Sequence, residues 1–264
     1  MKHFAALICF VMAGCAMQKP LSIPAPTQKA EALPTPTTPL RQITGLVGTV
    51  PANTPEVLDL YTRSFDLHVF ETEYNGSDPY IRKWNKDVIV GIENTIPKWR
   101  DAVVRRAMDL LSSITGLVIQ YPDAESKDLK YWRVHHKTNV WIYVEPNKNK
   151  DICSGIRRKY EDGTIKTAKI FISRSYSAQG NFETCVIEEL SQLLGPGNDT
   201  DVVESSAWRP LVKWSKKAYE RLTYHDAIIL RTLYDFRIKP GMPRAQALPI
   251  ARRIIGELLA ELNP

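Results

Sequence analysis

Cys185–Asp199 reads CVIEELSQLLGPGND, and the way its polar residues fall on a helix decides the fold. Glu188 and Gln192 stand four apart and so share one helical face, with Glu189 beside the first of them. Gly195 then turns the chain, after which Asn198 and Asp199 can swing back toward that face. A helix and turn of this kind can present three ligands and one carboxylate base to a metal ion. The residue types argue against zinc, because Gln192 is a weak neutral donor and the helix carries no histidine. His68, His135, His136 and His225 lie elsewhere, and only the adjacent pair His135–His136 clusters. The plainer alternative is an amphipathic helix with Val186, Ile187, Leu190 and Leu193 or Leu194 in the core and its glutamates in solvent.

On either side of this segment the hydrophobic pattern changes period. Leu58–Tyr74 is aromatic and alternates in its second half, which reads as a strand, and Val88–Glu93 reads as another. From Pro97, WRDAVVRRAMDLLSSITG places Val103, Ala107, Leu110 and Leu111 at helical spacing, and Gly116 ends the run. Leu117–Tyr121, Asn139–Val144 and Lys169–Ile172 read as strands, with an Asp162–Gly163 turn before the last. Helices are expected over Phe182–Leu194, Thr223–Tyr234 and Ala251–Leu262. This order describes an α+β domain with a mixed β-sheet. Thr223 is a plausible N-cap with Asp226 as its N3 partner, and Arg231 is placed to pair with Asp235 four residues on. Tyr234, Asp235 and Arg237 are expected to lock the final turn, and Pro240–Gly241–Met242 to form a turn of its own.

The N-terminus carries an address. Lys2, the apolar run Phe4–Ala13 and the small residues before Cys15 have the order of an export signal. The run is shorter than the roughly 20 residues that span a bilayer. Met12-Ala13-Gly14-Cys15 resembles the lipobox of bacterial lipoproteins, with Met12 where leucine is usual. That resemblance implies cleavage before Cys15 and acylation (palmitate) on it, which anchors the chain to a membrane. With Ala16 and Met17 following the cysteine and no Asp beside it, the outer membrane facing the periplasm is the favoured location within the cell envelope. Prolines 20, 24, 26, 34, 36 and 39 then make a semi-extended tether. The expected layout is a signal peptide over 1–14, a lipidated terminus and tether over 15–45, and one domain over 46–264.

Composition narrows the functional classes. A formal charge of +6 is weakly basic, its charges are scattered, and no zinc-finger spacing or RNP-like strand supports nucleic-acid binding. Glycine-rich phosphate loops and G-x-S-x-G elbows are absent. Of four cysteines, Cys9 leaves with the signal and Cys15 is assigned to lipid. Cys153 and Cys185 remain, and a disulfide between them is the preferred reading in an oxidising compartment over two free thiols.

Glu188-Glu189-x-x-Gln192-x-x-Gly195-x-x-Asn198 is laid out like the HExxHxxGxxH signature of metzincin metallopeptidases. LTYHDAIILRTLY resembles the helix that closes matrixin-type domains, and WRDAVVRRAMDLLSSITGL their long first helix. The nearer resemblance, over about residues 55 to 245, is to DUF2927, a family of bacterial lipoproteins of unknown function. It rests on the EE-x-x-Q-x-x-G-x-x-ND helix and turn, the LT-x-x-D-x-x-x-L-R-x-LYD helix and R-I-x-P-G-M. These resemblances imply a zincin-like single domain with an active-site-like helix and C-terminal helices. They place Glu189 at the general base, and Glu188, Gln192 and Asn198 (or Asp199) at the three ligand positions. Every histidine ligand is replaced, so the three-histidine zinc site is not present, and oxygen ligands suit harder ions such as calcium. Met242 lies after the LY helix, whereas the methionine turn of metzincins precedes it, and Ser205–Trp208 stand in that place without a methionine. Two functions follow as expectations. The first is a catalytically inactive module that binds an envelope protein or peptide or has a structural role; the alternative is a metal-dependent peptidase or other hydrolase.

Overall fold

Thr54, Pro55 and Glu56 start the first helix. Thr54 is the N-cap, its hydroxyl accepting from the Val57 N–H at 3.3 Å, and Pro55 takes the first helical position where a missing N–H costs nothing. The computed structural model describes residues 36–72, 76–93, 98–121, 132–133, 137–145, 153–173, 182–197 and 221–264. Helix α1 spans Pro55–Phe70, so most of the stretch Leu58–Tyr74 is helical and not a strand. Tyr61, Ser64, Phe65, His68 and Val69 are buried at a spacing of three and four, and this period with its start signal outweighs the β propensity of the aromatic residues. Only the tail pairs as strand: β1 (Glu71–Thr72) and β2 (Gly76–Ser77) form a small antiparallel sheet.

The main sheet is mixed. Its strands are β3 (Val88–Glu93), β4 (Ile119–Gln120), β5 (Trp132–Arg133), β6 (Val140–Glu145), β7 (Cys153–Glu161) and β8 (Thr164–Ser173). The order is β4-β3-β6-β8-β7, with β5 also pairing β3. β3, β4, β6 and β8 run parallel, and β5 and β7 are antiparallel to their neighbours. Helix α2 (Lys98–Thr115) makes the crossover from β3 to β4 and stops at Gly116, whose φ of +72° lets the chain leave the helix. Asp162 and Gly163, both at positive φ, make the tight turn of the β7–β8 hairpin, as the Asp-Gly pair implies. Helices α3 (Phe182–Leu193), α4 (Tyr224–Tyr234) and α5 (Arg244–Leu262) follow. The fold is therefore α+β, with a mixed sheet and several helices.

Packing places α3 at the centre. It lies against α2, β7 and β8, while α4 contacts α1, α2 and α5. The last helix begins seven residues before the expected Ala251 and carries Pro249 inside it. Burial of Ala247 and Ala251 holds that first part in place despite the missing donor. Packing also reaches back into the segment read as tether. Leu40–Gln42 form a 3-10 turn, Leu40 is completely buried, and its N–H donates to Glu261 Oε1 at 2.7 Å. Among the described residues no helix is long and apolar enough to cross a membrane.

Candidate functional site

Helix α3 has no solvent face of the kind an ordinary amphipathic helix presents. Phe182, Thr184 and every residue from Cys185 to Leu193 are buried, Glu188 to 6%, Glu189 to 5% and Gln192 to 6% exposure. The alternative with glutamates in solvent is thereby corrected. Two adjacent carboxylates are held inside the fold, where an ionised side chain is costly unless it is matched by partners. None of Glu188, Glu189 and Gln192 lacks a partner. Ser191 Oγ donates back to the Glu188 carbonyl at 2.8 Å. Cys185, fully buried on the same helix, is disulfide-bonded.

The C-terminal end of α3 is gripped from two directions. Trp84 Nε1 donates to the Leu193 carbonyl at 3.0 Å, and the Tyr234 hydroxyl donates to the Leu194 carbonyl at 2.6 Å. The Tyr234 oxygen in turn accepts from the Trp84 backbone N–H at 3.2 Å, so Trp84 and α4 are tied to each other as well as to α3. Orphan carbonyls at a helix end are thus answered by side chains. Gly195 follows with φ +141°, and a Cβ there would sit 2.6 Å from the Arg82 carbonyl oxygen. Beyond it the Gly197 N–H donates to the His68 carbonyl, bringing the turn against the end of α1. Asn198, Asp199, His135, His136 and Ser205–Trp208 lie outside the described residues.

Around the start of α4 lies a buried polar cluster. Thr223 and Asp226 form a reciprocal capping box: the Asp226 N–H donates to Thr223 Oγ1, and Asp226 Oδ2 accepts from the Thr223 N–H. Asp226 Oδ1 stands 3.3 Å from His225 Nδ1, and His225 Nε2 stands 2.6 Å from Ser64 Oγ. The Tyr61 ring meets His225 edge-on, and burial, followed by the Asp226 charge, pushes its phenol up to about 12. Ser, His and Asp are here in hydrogen-bond order, yet all three are essentially inaccessible.

Arg231 does not pair with Asp235. Its guanidinium reaches the carbonyls of Pro36, Thr38 and Ser113, and burial holds its pKa below the usual arginine value against the opposing pull of Glu261. Asp235 instead pairs with Arg237, which also engages Glu257. Sequence reading passed over Lys83, which is 1% exposed at the C-terminal end of α4. A lone lysine between Arg82 and Trp84 carries no local signal of burial, since its partners lie about 150 residues away.

The chemistry of α3 does not fit a three-nitrogen zinc centre, because the ligand positions carry Glu188 and Gln192 where imidazole is required. Among the described residues no group of three or more His, Cys, Asp or Glu is placed to hold a metal ion. A family model described as "Protein of unknown function (DUF2927)" matches residues 60–253. No curated protein and no solved structure matches the chain.

Proposed function

The chain belongs to the DUF2927 family, and on that premise we propose that it is a lipid-anchored cell-envelope protein whose metzincin-like domain is a binding or envelope-structural module without peptidase chemistry. The observation that carries this reading is the state of α3. Where a metallopeptidase helix turns two imidazoles toward a metal, this one encloses Glu188, Glu189 and Gln192, each with an interaction inside the fold. Without an imidazole on α3, the two helix-borne ligands with which a metallopeptidase holds its zinc, and through it an activated water, are replaced. Cleavage before Cys15, acylation there and a tether leading to the domain complete the proposal. Disulfide pairing of Cys185 with Cys153 belongs to it too. It is supported by the packing of α3 on β7, of which Cys153 is the first residue.

Elemental analysis of residues 36–264, after dialysis without chelator, tests the reading. The expected result is less than stoichiometric metal and no change in Tm on titrating zinc, calcium or manganese. About one equivalent of a single metal, lost in a Glu188→Ala/Asp199→Ala double variant, overturns it. It then installs the second reading, a metal-dependent hydrolase with Glu189 as general base and Glu188 and Asp199 as oxygen ligands. One observation favours that second reading: both glutamates are buried on the helix that carries the general-base position. Palmitate incorporation that vanishes in Cys15→Ala tests the anchor, and non-reducing peptide mapping tests the Cys153–Cys185 bridge.

A further inference from the structure

Residues 80–83 alternate between surface and interior. Ile81 and Lys83 are buried, whereas Tyr80 is 39% exposed and the Arg82 side chain 24%. Backbone bonds fix this alternation from two sides: Ile81 is bonded to Gly241 and Met242, and Lys83 to Gly163 and Ile165 of the β7–β8 hairpin. The hairpin brings Tyr160 alongside. β7 shifts register just before Tyr160, an irregularity of the kind that re-aims a side chain, and this tyrosine is 43% exposed. Tyr80 and Tyr160 are the two exposed tyrosines among the described residues. The Arg82 guanidinium lies over both rings, 5.9 and 4.9 Å from their centres. Asp78 holds it there: Nε donates to Oδ2 at 2.6 Å and Nη2 to Oδ1 at 3.2 Å, and the Tyr80 N–H donates to Oδ1 as well. The Arg82 charge is thereby matched and the carboxylate occupied, while Nη1 makes no hydrogen bond to any described residue. Beside Tyr160, Glu161 and Lys166 pair at 3.1 Å.

We propose that Tyr80, Arg82 and Tyr160 form a docking site for a proline-rich segment of another protein, bound as an extended polyproline-type helix. The balance of donors and acceptors selects this partner. A polyproline helix leaves its carbonyls without internal partners, and each proline adds an apolar ring and no N–H. The site offers the converse: two aromatic rings, the Nη1 donors and the tyrosine hydroxyls, with its carboxylate already engaged. A glycan brings hydroxyl donors in number, and an acidic peptide needs an unmatched cation; the Arg82–Asp78 pair suits neither. Tyrosine and arginine are the residue types that anchor protein interfaces, and aromatic-lined surfaces are where proline-rich ligands dock. Holding Arg82 in place before binding lowers the entropy lost when the partner arrives. The Arg82 carbonyl lies 2.6 Å from where a Cβ on Gly195 would stand, so the site adjoins the end of α3. This proposal rests on the binding-module reading and supplies its partner. Metal content tests that reading at α3 and peptide binding tests this site, so the two fail separately.

Fluorescein-labelled decaproline is titrated with the full chain in detergent micelles, and binding is followed by fluorescence anisotropy. Saturable binding is expected, displaced by unlabelled decaproline and not by a glycine-serine decamer, a glutamate-serine decamer or chitohexaose. Tyr80→Ser and Tyr160→Ser each weaken it by about tenfold or more, the effect of a hot-spot side chain. Arg82→Met, which keeps the stem and removes the donors, weakens it likewise. All three side chains are partly exposed, so the variants are expected to keep the native Tm within a few degrees. No binding, binding unchanged in both tyrosine variants, or displacement by the acidic decamer or the glycan as effective as by decaproline overturns the proposal. Should a variant fail to fold, nitration of the native protein decides. Saturating decaproline is expected to protect Tyr80 and Tyr160 from tetranitromethane, read by peptide mapping, and nitration of both at the unliganded rate overturns the proposal equally.

Discussion

Ser64 and His225, 161 residues apart, hold Oγ and Nε2 at 2.6 Å in the interior between α1 and α4. With Asp226 on the other ring nitrogen they have the composition of a nucleophilic triad and the burial of a structural pin. Asp226 is moreover committed to its capping box, where Thr223 engages Oδ2. Ser64→Ala is expected to cost about 1–3 kcal/mol, the usual penalty for leaving a buried polar group without its partner. Urea unfolding measures this. In the same preparation Ser64 of the native protein, being fully buried, is expected to resist fluorophosphonate labelling; stoichiometric labelling would make it a nucleophile again.

Gly195 separates two kinds of glycine cost. Its Cβ would meet the Arg82 carbonyl and the Leu233 side chain, both at 2.6 Å, whereas a Cβ on Gly48 (φ +88°) meets nothing within 4 Å. Gly48→Ala therefore pays only the left-handed backbone term, about 1–2 kcal/mol. Gly195→Ala adds a clash at the end of α3 and is expected to lose about 2–4 kcal/mol. Equal losses in the two variants, by denaturant midpoint, would show that the backbone at Arg82 gives way and does not fix the turn.

What was legible in the sequence was what a short window can carry. The Thr223–Asp226 box, the Asp162–Gly163 turn and the end of α2 at Gly116 are each decided by residues no more than a few positions apart. Leu58–Tyr74 misled because its aromatic tail alternates, while the Thr54–Pro55 start that makes it a helix lies just upstream. Arg231 was assigned to Asp235 by helical spacing, but the guanidinium finds three carbonyls from distant segments instead. The polar pattern on α3 was visible; its complete enclosure was not, since burial depends on what the rest of the chain lays over it. Lys83 and the Ser64–His225 contact share that origin, being products of topology alone.

Acid should act through the Asp235–Arg237–Glu257 group. Burial pushes Asp235 up, but the hydrogen bonds and charge of Arg237 outweigh it and hold the carboxyl below its ordinary 3.8. Arg237's hydrogen bond likewise holds Glu257 below 4.5. A depressed carboxylate gives stability that is full above the unfolded value and is lost as pH falls through the folded one. Thermal stability is therefore expected to drop more steeply below pH 4.5 in the native protein than in Arg237→Gln. Parallel curves below that pH would remove this group from the account of acid sensitivity.

The boundary of the folded part gives the sharpest stability test. A cut at residue 46 removes Leu40 and Ile43, both in the core, and the Leu40 N–H that meets Glu261. It also removes the Pro36 and Thr38 carbonyls, leaving the buried Arg231 guanidinium the Ser113 carbonyl of the three it meets. Losing one fully buried leucine costs about 2–5 kcal/mol where the site cannot collapse, and stripping partners from a buried cation adds to it. Residues 46–264 should accordingly unfold at markedly lower urea than residues 36–264, with α4 and α5 losing exchange protection first. A difference within about 0.5 kcal/mol, the range of ordinary surface changes, would mean that Leu40 and Arg231 are solvated at little cost and that the tether extends to residue 45.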